Sequence, residues 1–120
     1  MINIKLGVIP TRRDIFSKEE ALKYKELILQ KLATMNITFV DIEDANDEGL
    51  LFDDNDVDKV VDKMIKEKVD ALFFPHCNFG TEYLVAQVAK KMNLPILIWG
   101  PRDESPLGDG SRLRDSQCGL

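Results

Sequence analysis

The sequence predicts an α/β fold in which a doubly wound parallel sheet carries helices on both faces. Four short apolar segments rich in β-branched residues alternate with three longer segments whose apolar residues recur at helical spacing. Each short segment ends at a proline, a glycine or a polar turn. Near-continuous apolar strands joined by helical crossovers indicate a parallel sheet that is covered on both faces.

The first strand is predicted over residues 4–9 and ends at Pro10. Ser17 is the predicted N-cap of the first helix, because Glu20 three residues later completes a Ser-x-x-Glu capping box. We expect this helix to reach Met35, with four residues on its inner face: Ala21, Tyr24, Ile28 and Leu32.

A second strand is predicted over residues 37–42, and an acidic, turn-like stretch follows over residues 43–55. The next segment is an amphipathic helix, since five apolar residues form one stripe between charged ones: Val57, Val60, Val61, Met64 and Ile65.

The third strand spans residues 69–75, and a third helix opens at Gly80 or Thr81. Its apolar stripe is Leu84, Val85, Val88, Ala89 and Met92. A fourth strand covers residues 94–99. Right-handed crossovers between these elements favour a Rossmann or flavodoxin-like sheet with strand order 2-1-3-4.

The length of 120 residues fits a single Rossmann-like domain, with a core over residues 1–99 and a polar tail over residues 100–120. Long segments without periodicity are uncommon in compact domains. The tail is therefore either a mobile lid or, as we favour, the lead into further domains, in which case the fold is incomplete at its C-terminus.

Composition excludes several classes of function. The net charge is −5 without a basic patch, so nucleic acid is not an expected partner. No apolar run approaches the length of about 20 residues that spans a bilayer. The N-terminus lacks the pattern of a signal peptide, which predicts a cytoplasmic protein. In that compartment Cys77 and Cys118 are not expected to form a disulfide.

Ligands of open α/β sheets bind beyond the carboxyl ends of the strands, which selects the loops at residues 10–16, 75–81 and 100–114. In the first loop, Arg12 and Arg13 can hold a hydroxyl-rich or anionic ligand, or they can form a solvated pair with Asp14. No glycine-rich nucleotide fingerprint follows the first strand. In the third loop, alternating carboxylates and arginines predict salt bridges.

The second loop groups the only histidine, His76, with Cys77, Asn78 and Phe79. A nucleophilic Cys77–His76 pair is conceivable, although adjacent residues seldom aim at one atom and no orienting partner can be named. One histidine and two distant cysteines do not make a metal site. The alternative is a turn in which Asn78 or Thr81 caps the third helix.

The second loop, Pro-His-Cys-Asn-Phe-Gly-Thr-Glu at residues 75–82, resembles the N-terminal region of the L-fucose isomerase and L-arabinose isomerase-like family. So do Trp-Gly-Pro-Arg-Asp-Glu at residues 99–104 and the tail at residues 109–119. The resemblance covers essentially the whole chain. It implies a cytoplasmic aldose–ketose isomerase that uses a divalent metal, usually manganese, and assembles as a trimer or hexamer.

The resemblance further implies that metal ligands and acid/base carboxylates lie in middle and C-terminal domains. The N-terminal domain is then expected to lend sugar-contacting residues to the active site of a neighbouring subunit. By position, these substrate-binding residues are Arg12, Cys77, Asn78 and Phe79, with Arg13 an alternative to Arg12. No catalytic residue and no metal ligand is expected in this chain.

One departure from the family pattern bears on the substrate. Cys77 stands where fucose isomerases place a tryptophan, and Phe79 stands where they place a tyrosine. A thiol does not offer the flat apolar wall that an indole presents to a sugar. The expected function is a substrate-contacting and oligomerisation domain that is inactive alone; the alternative is a stand-alone sugar-sensing or small-molecule-binding module.

Overall fold

The computed structural model describes residues 3–120. Met1 and Ile2, which belong to the N-terminal segment that lacks a signal-peptide pattern, lie outside the described residues. Strands and helices alternate through the core: β1 (Lys5–Val8), α1 (Lys18–Thr34), β2 (Thr38–Val40), α2 (Val57–Lys66, after a single 3₁₀ turn at Asp54–Asp56), β3 (Ala71–Pro75), α3 (Glu82–Met92) and β4 (Ile96–Trp99).

All strand pairs are parallel, and the sheet has the order β2-β1-β3-β4, so the predicted α/β class and strand order are confirmed. Two apolar clusters lie on the two faces of the sheet. The larger one packs Ile9, directly after β1, and Leu72 and Phe74 of β3 against α2 and α3. The smaller one lies under α1 and includes Val8 and Phe73.

The N-cap of α1 is only half of the predicted capping box. The hydroxyl of Ser17 accepts a hydrogen bond from the backbone N–H of Glu20 at 3.1 Å, as predicted. The reciprocal half is wrong, because the backbone N–H of Ser17 donates to the carbonyl of Leu113 at 2.9 Å. The backbone carbonyl of Leu113 in the tail thus takes the place of the Glu20 side chain as the acceptor at the start of α1.

The inner faces of the helices follow the predicted stripes with two differences. In α1, Lys25 is buried and forms an ion pair with Glu43 at 2.9 Å, whereas Tyr24 is only half-buried. In α2, Ile65 is 58% exposed. Its predicted burial is wrong because it lies one helical step, about 100°, beyond Met64 and so leaves the stripe.

The expected covering of both sheet faces is wrong at β4. Its four side chains are between 38% and 62% exposed. The helix α1 covers β1 and β2 on its face, and the residues after β4 form no helix that packs beside it. The edge strand therefore keeps an apolar surface open on both sides.

The tail at residues 100–120 contains no helix or strand, yet it is packed onto the domain through Arg114. The guanidinium of Arg114 is fully buried and lies 3.6 Å from the ring centroid of Tyr24. It donates to the carbonyl of Arg102 at 2.7 Å and to the hydroxyl of Ser116 at 2.8 Å. One side chain thus fixes both ends of the tail to α1.

Candidate functional site

The carboxyl ends of β1, β3 and β4 meet at one edge of the sheet, here named the carboxyl edge (residues 9–17, 76–82 and 100–116). Beyond β1, Thr11 forms isolated parallel bridges with Leu51 and with His76, so the first loop extends the sheet between its neighbours. The strand β2 lies on one side of β1 and β3 lies on the other, so the direction in which strands are added to the sheet reverses between β1 and β3. Ligand sites of open α/β sheets lie at such an edge, near the reversal.

Asn78 joins the first two loops of this edge. Its Oδ1 accepts hydrogen bonds from the backbone N–H groups of Arg13 at 2.7 Å and Gly80 at 3.2 Å. Its Nδ2 donates to the carbonyls of Arg13 at 3.2 Å and Ser17 at 3.3 Å. Asn78 is fully buried, so its amide holds the loops in place from beneath.

Thr81, the alternative cap of α3, does not cap the helix. It occupies the N-cap position of α3, but its side chain makes no capping hydrogen bond. Its hydroxyl donates instead to the carbonyl of Arg12. Thr81 therefore adds a second tie between the loop after β3 and the loop after β1.

Arg12 is buried in an internal ion pair. Its Nε and Nη2 donate to the two carboxylate oxygens of Glu48 at 2.6 and 3.0 Å, and its guanidinium lies 3.8 Å from the ring centroid of Phe52. Burial raises the pKa of Glu48, but hydrogen bonds from Arg12 and Lys18 outweigh that effect, so the pKa lies below its usual value. A charged, bidentate pair results.

Arg13 and Phe79 form the accessible part of the edge. The side chain of Arg13 is 29% exposed, and its guanidinium lies 5.0 Å from the ring centroid of Phe79. Phe79 is half-buried and stacks on Phe16, with 5.0 Å between ring centroids and 10° between ring planes. Glu82 accepts a hydrogen bond from Arg13 at 2.7 Å. These four residues are named the aromatic platform below.

His76 and Cys77 do not form a nucleophilic pair. Successive strand residues point to opposite faces, and Cys77 belongs to the cluster under α1 while His76 lies beside α3. Cys77 is fully buried, which raises the pKa of its thiol to about 12. The reactive thiolate is therefore not formed near neutral pH.

The third loop is salt-bridged, as predicted. Arg114 pairs with Asp103 at 3.3 Å and with Glu104 at 3.1 Å. The carboxylate of Asp103 also accepts hydrogen bonds from the backbone N–H groups of Ser116 and Gln117. The charged groups of Arg114, Asp103 and Glu104 therefore stabilise the fold of this loop.

A family model described as fucose/sulfoquinovose isomerase, N-terminal domain, matches residues 7–120. The chain belongs to this family. No curated protein and no solved structure matches it. The family match confirms the resemblance to fucose isomerase-like proteins that the loops at residues 75–82 and 99–104 indicate.

The described residues of this fucose/sulfoquinovose isomerase domain do not form a cluster of metal ligands. Within residues 3–120, no group of three or more histidine, cysteine, aspartate or glutamate side chains could hold a metal ion. No helix among the same residues is long and apolar enough to cross a membrane.

Two residues at or beside the carboxyl edge of this isomerase domain, Glu48 and Phe16, escaped prediction from sequence. Glu48 lies in the acidic stretch over residues 43–55, which predicts only a turn. Nothing in the sequence indicates that Glu48 forms an ion pair with Arg12, 36 residues earlier. Phe16 closes the first loop and stacks on Phe79. The sequence signal available for Phe16 was its aromatic side chain in a loop that follows a strand.

Proposed function

We propose that this chain is the substrate-contacting and oligomerisation domain of a fucose isomerase-like enzyme that interconverts an aldose and a ketose. The family match supports this proposal, since its description names an isomerase and an N-terminal domain. The domain is inactive alone in this proposal. It acts within a homo-oligomer, a trimer or hexamer in the cytoplasm, where it completes the active site of a neighbouring subunit.

The observation that carries the proposal is the aromatic platform. A sugar presents C–H groups on its faces and hydroxyls at its rim, which suits an aromatic ring flanked by charged donors and acceptors. Phe79 offers the ring, Arg13 offers fork-shaped donors and Glu82 offers acceptors within one partly exposed patch.

Among the residues predicted to bind substrate, the partial exposure of Phe79 supports direct contact with the sugar. Arg12, Cys77 and Asn78 are buried, and in this proposal they position the loops that carry the platform. Arg13 rather than Arg12 is then the arginine that meets the sugar. The ligands of the manganese ion and the acid/base carboxylates are assigned to other domains.

The test is an aldose–ketose assay with manganese on the oligomer that joins this chain to metal-bearing domains. We expect Arg13→Ala and Phe79→Ala each to lower kcat/KM at least about tenfold, roughly the loss of one charge-assisted contact or one aromatic wall. Lys66→Ala, an exposed cation at the far end of α2, is the matched control and should leave kcat/KM unchanged.

If Arg13→Ala and Phe79→Ala both kept the native kcat/KM, the aromatic platform would not be part of the substrate site. Turnover by the 120-residue chain alone would overturn its proposed inactivity. Tight binding of an aldose by the isolated chain, without activity in any assembly, would favour the stand-alone sugar-sensing module instead.

A further inference from the structure

The strand β4 forms an open edge of the sheet. Within residues 3–120 it pairs with β3 alone, and it is the last strand of the order β2-β1-β3-β4. The carbonyls of Pro95 and Trp99 accept hydrogen bonds from the β3 side. Because the backbone groups of successive strand residues point in alternate directions, those of Ile96 and Ile98 point to the open side. Such an edge is a template for a further strand.

The side chains of β4 are as open as its backbone. All four are apolar, and they are between 38% and 62% exposed. Native proteins protect exposed edge strands with lysine or proline in the strand, or with another element that covers it. Neither lysine nor proline occurs within Ile96–Trp99. The strand therefore calls for a covering element.

A groove of about 200 Å³ lies between α3 and β4, on the face of the sheet that carries α2 and α3. Apart from His76 and Glu82 its lining is apolar: Val85, Ala86, Ala89, Ile96, Ile98 and Leu120. Helix axes pack about 8–10 Å apart, and small side chains at the contact allow the closest approach. The two alanines of α3 therefore leave room for a further helix beside α3.

The handedness of the crossovers decides which face a following helix takes. The helix α1 connects β1 to β2 in one direction along the sheet, whereas α2 and α3 connect strands in the opposite direction and lie on the other face. Parallel crossovers are right-handed in about 98% of cases. A crossover from β4 to its free side continues the direction of α2 and α3, so its helix lies beside α3, in the groove.

The path of the tail leads to the same groove. The tail leaves β4 at Gly100, contacts α1 through Arg114 and returns so that Leu120 lines the groove. A Cβ atom at Gly100 would lie 2.9 Å from Cδ1 of Leu120, so the two ends of the tail are in contact. A segment that follows Leu120 thus starts at the carboxyl edge, where a crossover helix must start to run back along the sheet.

We propose that the segment that follows Leu120 in the enzyme covers the open side of β4. Its helix packs in the groove between α3 and β4, and its strand pairs with β4 as a fifth parallel strand. This arrangement rests on the proposed function, in which further domains follow this N-terminal domain. It adds to that function the surface through which the domain continues, which shares only Glu82 with the aromatic platform.

Cysteine labelling with a maleimide tests the cover on the oligomeric enzyme, with Cys118→Ser to remove the exposed native thiol of this domain. Ala86→Cys places an exposed thiol in the groove. Followed by mass spectrometry of its peptide, it should react at least about tenfold more slowly in the enzyme than in the 120-residue chain, because the covering helix must first open. Gln87→Cys, exposed on α3 outside the groove, is the matched control and should react equally fast in both.

Photo-crosslinking of the enzyme identifies what covers β4. The photoreactive residue p-benzoyl-phenylalanine, introduced in place of the exposed Ile96, should capture a peptide that follows Leu120. The product should migrate as a single chain on a denaturing gel, because the captured segment belongs to the same chain.

The proposal fails if Ala86→Cys reacts equally fast in the enzyme and in the 120-residue chain. It also fails if the crosslink joins two chains, which would assign the groove to a second copy. Aldose–ketose activity of the Cys118→Ser enzyme keeps the two proposals apart. An active enzyme with a reactive groove overturns the packing alone, and an inactive enzyme with a protected groove overturns the isomerase function alone.

Discussion

At the scale of single residues, His76 and Cys77 illustrate how the alternation of a strand decides chemistry. The two side chains follow β3 directly and point to opposite faces of the sheet. Burial favours the uncharged form of each, since it lowers the pKa of the imidazole and raises the pKa of the thiol. Two reactive groups that are adjacent in sequence therefore work in separate environments.

The buried imidazole makes stability depend on pH. The pKa of His76 lies below its ordinary value of 6.5, mainly because of burial, so the unfolded chain binds a proton at a higher pH than the folded protein does. Protonation then favours unfolding, and the free energy of unfolding should fall as the pH drops from about 7.5 to about 5.5. Urea denaturation at both pH values measures this change.

His76→Phe removes the titrating group and should make the free energy of unfolding nearly constant in that window. The carboxylates with lowered pKa values have ordinary values of 3.8 or 4.5 and lose their contribution only at lower pH; they are Asp44, Glu48, Glu67, Glu82 and Asp109. Equal pH dependence in the native chain and His76→Phe would contradict the assignment to His76.

At the scale of elements, a left-handed turn links β3 to α3. Gly80 and Gly110 share a φ of +85°, but a Cβ atom at Gly110 would meet nothing within 4 Å, whereas one at Gly80 would meet the ring of His76. Gly110→Ala should cost about 1 kcal/mol for the left-handed backbone alone. Gly80→Ala should cost at least about 2 kcal/mol more, because the ring or the loop must move.

The double variant Gly80→Ala with His76→Ala separates the two contributions. Removing the ring should bring the cost of the Gly80 substitution close to that of Gly110→Ala, as urea denaturation would show. A cost at Gly80 that persists in full without the ring would refute the close contact as its cause.

The tail is an element without secondary structure, and its order depends on Arg114. Arg114→Ala removes the contacts to Tyr24, Glu104 and Arg102 together. Amide hydrogen exchange over residues 100–120 should accelerate at least about tenfold, as expected when a segment opens locally. Arg112→Ala is the control, because its contact to Asp115 is long, at 3.9 Å, and exposed. Unchanged exchange in Arg114→Ala would exclude this role.

Periodicity predicted every helix and strand of the core, because burial of one face imposes a spacing that the sequence records. The strand order followed from crossover handedness. The contacts of the edge could not be predicted in this way. Arg12 lies 36 residues from Glu48, and Arg13 lies 65 residues from Asn78, so these pairs exist only once the sheet has assembled.

At the scale of the whole molecule, the two faces of the sheet are unequally covered. Two helices lie on one face, and α1 lies alone on the other. Beside α1 an apolar groove of about 510 Å³ is lined by exposed side chains that include Leu27, Met35, Leu97 and Trp99. Apolar patches of this kind are sites of association in soluble proteins.

The groove should bind the dye ANS. Leu97→Glu places a charge in the groove. It should lower ANS fluorescence at least about twofold, because the groove is a larger apolar surface than the single exposed side chain of Ile65. Ile65→Glu, at an exposed apolar position on α2, is the matched control and should change the signal little. Equal losses in both variants would place the dye elsewhere.

The four hydrogen bonds of Asn78 have a consequence for how this domain can evolve. Three of them tie the main chain of the loop after β1, at Arg13 and Ser17, to the loop after β3, and the fourth, from Gly80, lies within the loop after β3. An insertion or deletion in either loop would break these hydrogen bonds. Under the proposed function, new substrate preferences are therefore expected to arise by exchange of side chains on the aromatic platform, with loop lengths preserved.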